Sequence, residues 1–343
     1  MRRAGGWILG LIIVAAMAGG GWFALRRVLS REPATIILLR TENARGPTSD
    51  AIVRGAQFAL REWGGRAGGF QIQLIENGQG IPAGAPVWIG TSEALLLQGD
   101  VQPVPFFVSV LDTHPAEPTG CFRMIPGCNR QGRAAAAWAK KSKAVRAFLL
   151  RDRPSLRSGA IAAAFESAAS ELGLPVEGPV DSSLDQPALL NRILASNPDL
   201  VFYSGEEAPY STSHAIFSAL REKGFAGTLV MGEADPEVSF LATRPDLVEG
   251  TYLVSPFAPP PPELAGHYFK FAGTRPGPHV TAGYFAMKAT LEAIDRAGSI
   301  DPADLRRAVT KLPYFDAEGK AALRPCALYV ARNGKFEFVE NLK

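Results

Sequence analysis

Short apolar runs recur along this chain, most of them separated by stretches long enough for a helix. Thr35–Leu39, Phe70–Ile75, Val87–Ile89, Phe106–Val110, Ala144–Leu150, Leu200–Tyr203, Thr228–Met231 and Thr251–Val254 read as strands buried on both faces. Between them, apolar residues fall three and four apart. Ile52, Ala56, Ala59/Leu60 and Trp63 form one such stripe, and Ile161, Phe165, Ala168 and Leu172 a second. Ile216, Ala219 and Leu220 form a third, which Gly224 closes. A parallel partner strand needs a crossover, so strands alternating with helices imply parallel sheets covered on both faces. The units are too many for one sheet.

The alternation breaks at Pro259–Pro262, four prolines in a row. Three helices follow: Glu263–Ala272, Thr281–Arg296 and Pro302–Leu312. Asp301 is placed to cap the third, with Pro302 in its first turn. The chain closes on a hairpin, Leu328–Val330 and Phe336–Val339, turned by Asn333-Gly334. The 343 residues suffice for two domains.

Charge is uneven. The net charge is +3, and residues 1–33 carry five arginines and one glutamate, so the remaining 310 residues sum to −1. No basic nucleic-acid surface is indicated. Ala4–Leu25 holds no charge over 22 residues, long enough to cross a bilayer as a helix. Two readings stand. In one, Arg2-Arg3, an apolar core at Trp7–Ala15 and Ala16-Met17-Ala18 make a cleavable signal peptide. In the other, the apolar run continues through Trp22-Phe23 to Arg26 as an uncleaved anchor, and that continuation favours the anchor. Arginines on both flanks leave the side of the membrane undecided at this point.

The stretch Val104–Gly132 holds the densest chemistry. Asp112 and Thr113 follow an apolar strand, where open α/β sheets bind ligands. Cys121 and Cys128 lie close enough in sequence to close a small loop. In an oxidising compartment a disulfide is expected of them; the alternative is two reduced, buried thiols. Cys326 is left over as a core residue. No Cys or His spacing suggests a metal, and no cofactor is indicated: the Gly-x-Gly at Gly78–Gly80 has no helix after it. The four histidines are scattered. No nucleophile elbow, phosphate loop or zinc-protease motif occurs, so an enzyme is not expected.

Five segments in this order, GPTSDAIVRGAQFAL, VPFFVSVLDTHP, CFRMIPGCNRQGRAAA, NPDLVFYSG and HVTAGYFAMKATLEAIDRAGSIDPADLRRAV, resemble the type I periplasmic substrate-binding proteins. The branch resembled includes the leucine/isoleucine/valine receptors of ABC importers. The resemblance implies two Rossmann-like lobes with parallel sheets, joined by a three-crossover hinge and closing on a small ligand. Lobe 1 would comprise residues 34–142 and 256–318, lobe 2 residues 143–255 and 319–343. It further implies an extracytoplasmic solute-binding protein for an amino acid, amide or related metabolite, with an ABC permease as a partner. In amino-acid-binding members, hydroxyls after two lobe 1 strands hold the ligand carboxylate; the matching positions are Thr91/Ser92 and Thr113. An acidic lobe 2 residue holds the ammonium; Glu233 stands nearest, with Asp235 beside it. Glu206, after Leu200–Tyr203, is either a further ligand contact or part of a solvated loop.

The chain departs from that pattern in four places. Thr48 replaces the aromatic that covers the ligand, and Leu156 stands where a tyrosine is expected. Asp112 stands where a small residue is usual, and GQGIPAGAP is too short for the helix normally found there. The pocket is therefore not expected to be a standard branched-chain amino-acid pocket. A second reading follows: a membrane-anchored sensor or interaction module that kept the fold and lost the amino-acid site.

Overall fold

The computed structural model describes residues 34–39, 47–77, 86–91, 106–111, 121–152, 155–205, 212–232, 248–313, 315 and 324–342. The chain builds two sheets. The first takes β1 (Ala34–Leu39), β2 (Arg66–Ala67), β3 (Phe70–Asn77), β4 (Val87–Thr91), β5 (Phe106–Leu111) and β6 (Cys121–Arg123), with α1 (Pro47–Glu62) after β1. Its order is β2-β3-β1-β4-β5-β6. All its pairings are parallel except the short β2–β3 one.

The second sheet begins after α2 (Cys128–Lys141). It runs through β7 (Ala147–Arg151), α3 (Leu156–Glu171), β8 (Val176–Asp181), α4 (Gln186–Ser196), β9 (Leu200–Tyr203), α5 (Thr212–Glu222), β10 (Thr228–Met231) and β11 (Tyr252–Ser255). The chain then makes α6 (Pro262–Ala272), α7 (Pro278–Ala297) and α8 (Pro302–Val309), and returns as β12 (Cys326–Arg332) and β13 (Lys335–Leu342). The sheet order is β13-β12-β11-β10-β9-β7-β8, parallel from β8 to β11 and antiparallel beyond. Asn333 and Gly334 turn the terminal hairpin with φ of 50° and 72°, both left-handed, as a tight hairpin requires.

Alternation explains the unbroken apolar strands. In β7, Ala147 and Leu149 face one core while Phe148 and Leu150 face another. In β9, Leu200 and Phe202 face the first, Val201 and Tyr203 the second. A strand covered on both faces has no polar side to show. Each such large side chain contributes about 1.5–3 kcal/mol by leaving water.

Core membership also marks where the chain changes lobe. Met124 and Ile125 belong to the first sheet's core, Cys128 and the alanines of α2 to the second's. The first crossover therefore lies ahead of α2, not after it at residue 142. The second lies at Phe257, which packs into the first core, next to Ala258, which packs against the second. The third leads from α8, in the first core, to β12, in the second. Among the described residues no helix is long and apolar enough to cross a membrane. Ala4–Leu25 lies outside them.

The first lobe is closed by two helices far apart in sequence. A Cβ on Gly283 of α7 would lie 2.1 Å from the Ile52 carbonyl oxygen, and one on Gly55 of α1 2.0 Å from the Val280 carbonyl oxygen. Each glycine makes room for the other helix's backbone. Gly283→Ala should therefore force the helices apart and destabilise the fold by about 1–3 kcal/mol or more, read as a lowered denaturation midpoint. An unchanged midpoint would show that this crossing is loose.

Candidate functional site

Parallel pairing brings the ends of the strands that precede the candidate residues to the carboxyl edges of the two sheets. β4 ends at Thr91, immediately before Ser92, and β5 ends at Leu111, immediately before Asp112 and Thr113. β9 is followed by Ser204, Gly205 and Glu206, and β10 by Gly232, Glu233 and, two residues on, Asp235. Ser92, Asp112, Thr113, Glu206, Glu233 and Asp235 lie outside the described residues, and Thr91 is described only in its backbone. What is described is the strand ends that precede them: Thr91 and Leu111 on the first sheet, Tyr203 and Met231 on the second. In the first sheet the order reverses between β1 and β4, in the second between β7 and β9. Such reversals open a crevice where ligands bind. The register also slips between Gly90 and Thr91, so that Thr91 pairs with Leu111. A bulge at a strand end re-aims the residue that follows it.

The second sheet's edge is held by a buried hydroxyl network that the sequence reading did not identify. The Ser158 hydroxyl accepts from the Asp152 N–H at 2.8 Å and lies 3.0 Å from the Ser204 hydroxyl. Ser204 donates to the Leu150 carbonyl at 3.1 Å. Ser155 caps α3 by accepting from the Ser158 N–H at 3.1 Å, as a serine N-cap does. The network ties the first turn of α3 to the ends of β7 and β9. Leu156 opens α3 and is 63% exposed.

Gln131 is a second tie. Its buried side-chain amide donates to the Gly232 carbonyl and, at 2.8 Å, to the Val254 carbonyl. The first turn of α2 is thereby pinned to the ends of β10 and β11, one residue before Glu233. The glycines ahead of the two glutamates sit tightly. A Cβ on Gly205 would meet the Tyr203 ring at 2.2 Å, and one on Gly232 the Phe202 ring at 2.9 Å. A glutamine with an apolar neighbourhood on an alanine-rich helix was the available sequence signal.

Other expectations resolve as follows. No bond joins Cys121 to Cys128 in the structure. The packing gives a reason: Cys128 sits in the second lobe's core, whereas Cys121 opens the edge strand of the first sheet. Cys326 is a fully buried thiol, as expected, and burial pushes it from 9.0 up to about 12. Trp138 is buried against Tyr252, with ring centroids 4.6 Å apart. His267 is exposed and bonds Glu62 at 3.0 Å, and His279 packs edge-on against Phe257. Leu172 departs from its expected place in the α3 stripe: it caps the helix and is 41% exposed.

Two α/β lobes, crossed three times by the chain and presenting polar loops at strand ends, define a two-lobed binding protein. The sequence profile of the periplasmic binding proteins matches residues 73–328, three quarters of the chain, and the chain belongs to that family. Its fold is similar to that of a leucine-binding protein from Thermotoga maritima (21% identity, 90% of this chain and 98% of the other, TM-score 0.72). It is also similar to an amino-acid ABC transporter substrate-binding protein from Pseudomonas fluorescens (18%, 90% and 95%, 0.75). A third similar structure is a solute-binding protein of an ABC transporter from R. palustris in complex with benzoate (14%, 91% and 96%, 0.67). No curated protein sequence matches the chain.

Two outcomes follow from this geometry. Gln131→Leu removes the amide donor from two carbonyls at the base of the Glu233 loop and should cost about 1–3 kcal/mol, measured by denaturant unfolding. Cys326 should resist alkylation at pH 9 in the folded protein and react at once in denaturant. Its raised value makes stability fall as pH rises from about 9 towards 12, because only the unfolded chain then loses the proton.

Proposed function

We propose that this chain captures a small polar ligand between its two lobes and delivers it to an ABC importer from the periplasmic side of the inner membrane. The observation that carries the reading is the position of the candidate residues directly after β4, β5, β9 and β10, on the edges where parallel sheets bind ligands. The charge-free run at Ala4–Leu25 supports either a tether or a leader cleaved after Ala18. Fractionation with N-terminal sequencing separates these: a soluble product starting at Gly19 would exclude the tether.

In this reading Thr91, Ser92 and Thr113 offer hydroxyls to the anionic or hydroxyl end of the ligand. Glu233 or Asp235, with Glu206 near, meets the opposite, cationic end. Asp112 beside Thr113 repels a bare carboxylate unless its own carboxyl turns away or takes a proton. The site therefore suits an amino acid, amide or related metabolite with more than one donor. The names of the similar structures, one leucine-binding and one holding benzoate, support small carboxylates as the class to screen first.

A melting-shift screen of amino acids, amides and carboxylates tests the proposal, since a ligand that binds only the folded, closed form raises stability by mass action. No shift across a broad panel would favour a module that lost its site. With a ligand in hand, Thr113→Val should weaken binding by about 1 kcal/mol or more, by calorimetry. Asp112→Asn should strengthen an anionic ligand and weaken a cationic one. Unchanged affinity in both Thr113→Val and Glu233→Gln would put the pocket elsewhere.

A further inference from the structure

A groove of about 800 Å³ lies beside the second crossover, and among the described residues none at the ends of β4, β5, β9 or β10 lines it. It runs between α6, with the prolines ahead of it, and the terminal hairpin. Its floor is Tyr329, which is buried and donates its hydroxyl to the Phe257 carbonyl at 2.7 Å. Phe269 of α6 lines one side and is 55% exposed. Phe336 and Phe338 of β13 line the other; Phe338 is 45% exposed and meets Tyr329 edge-on at 5.8 Å. Arg275, in the turn between α6 and α7, is the one charged side chain among the described residues that line the groove, and no carboxylate is among them. Among the described residues nothing pairs with its guanidinium.

We propose that this groove binds a small aromatic carboxylic acid, at a site other than the strand ends proposed above. Its volume falls in the range of small-molecule sites, which combine apolar walls with few polar groups. Open aromatic faces favour a ring by edge-to-face or offset contact. A single unpaired guanidinium at the rim favours a carboxylate, which it can meet with two parallel hydrogen bonds. The charge pattern thus selects an acid over an amine or a neutral ring.

The groove's walls belong to different lobes. α6 packs through Leu264 and Tyr268 on Phe58 and Val280, which anchors it to the first lobe. β13 is the edge strand of the second sheet. An acid seated between them contacts both sides of the hinge, so its occupancy is linked reciprocally to any hinge movement that changes the gap.

Saturation-transfer NMR of the full chain with 3-phenylpropionate tests this. The expected result is saturable binding in the unmodified protein, with Kd raised about tenfold or more in Arg275→Gln, the loss of one charge-assisted pairing. Phe338→Ser should abolish the ring signal. Both residues are exposed, and melting curves verify that the variants fold. The neutral analogue 3-phenylpropan-1-ol should bind the unmodified protein and Arg275→Gln alike. Thr113→Val, in the cleft, should leave 3-phenylpropionate binding unchanged. Absence of binding to the unmodified protein, a Kd unchanged from that of the unmodified protein in both groove variants, or loss in Thr113→Val would overturn the proposal, the last by placing the acid in the cleft.

Discussion

Parallel strand pairing sets the terms for the rest of this molecule. A strand that pairs in parallel must send the chain back over a face of the sheet before the next one begins. Helices therefore cover both faces, and every strand that pairs only in parallel ends at the same edge of its sheet. In the first sheet that edge carries the ends of β4 and β5; in the second it carries β7, β9 and β10. The polar loops are concentrated there because everywhere else the chain is committed to burying apolar strands. Binding chemistry and folding chemistry are thus separated by direction along the strand, not by region of sequence.

The lobes are discontinuous in sequence, and the close helix crossing shows how that is held. α1 lies near the start of the described chain and α7 more than two hundred residues later. Gly55 and Gly283 let their backbones touch, so the whole second lobe's parallel sheet is a loop inserted between two halves of one helix pair. A similar device brings α2 against α3, where a Cβ on Gly132 would lie 2.4 Å from the Ile161 carbonyl oxygen. Small residues at these crossings replace side-chain area with closeness, which multiplies weak dispersion contacts. The hinge itself needs few such contacts, because three strands of chain already cross it.

The strand runs and the helix trio were legible in the sequence, since buried parallel strands are short and uniformly apolar and the proline run is a hard boundary. The Asn333-Gly334 turn and the Asp301 cap, which accepts from Ala303 N–H at 2.9 Å, were legible for equally local reasons. β8 was not: VEGPVD has a glycine and a proline in mid-strand, and only its place on the sheet edge makes that tolerable. The lobe that α2 joins was not legible either. An alanine stripe packs equally well on either core, and what decides is the non-local pairing of Gln131 with Gly232 and Val254. The hydroxyl network of Ser158 and Ser204 was hidden for the same reason, being assembled from residues 46 apart. At the site, residue types and strand ends were readable from sequence; the ties that hold those ends were not.

Those ties bear on how the two edges differ. On the second lobe, Gln131 and the serine network fix the backbone just before Glu233 and Glu206, and tight glycines at 232 and 205 leave those stems little freedom to shift. In the proposed site a carboxylate carried on so firmly held a strand end would lose less entropy on meeting a ligand, and what it does not lose would appear as affinity. The first lobe's edge is marked instead by a register slip in the backbone between Gly90 and Thr91. In the proposed site, a ligand with both a cationic and an anionic end would meet a carboxylate that follows a firmly held strand end on one lobe and hydroxyls that follow the bulged strand on the other. In that reading the cationic end would fix orientation, and the hydroxyl-bearing edge, with Asp112 added to it, would discriminate among ligands by what they carry at the opposite end.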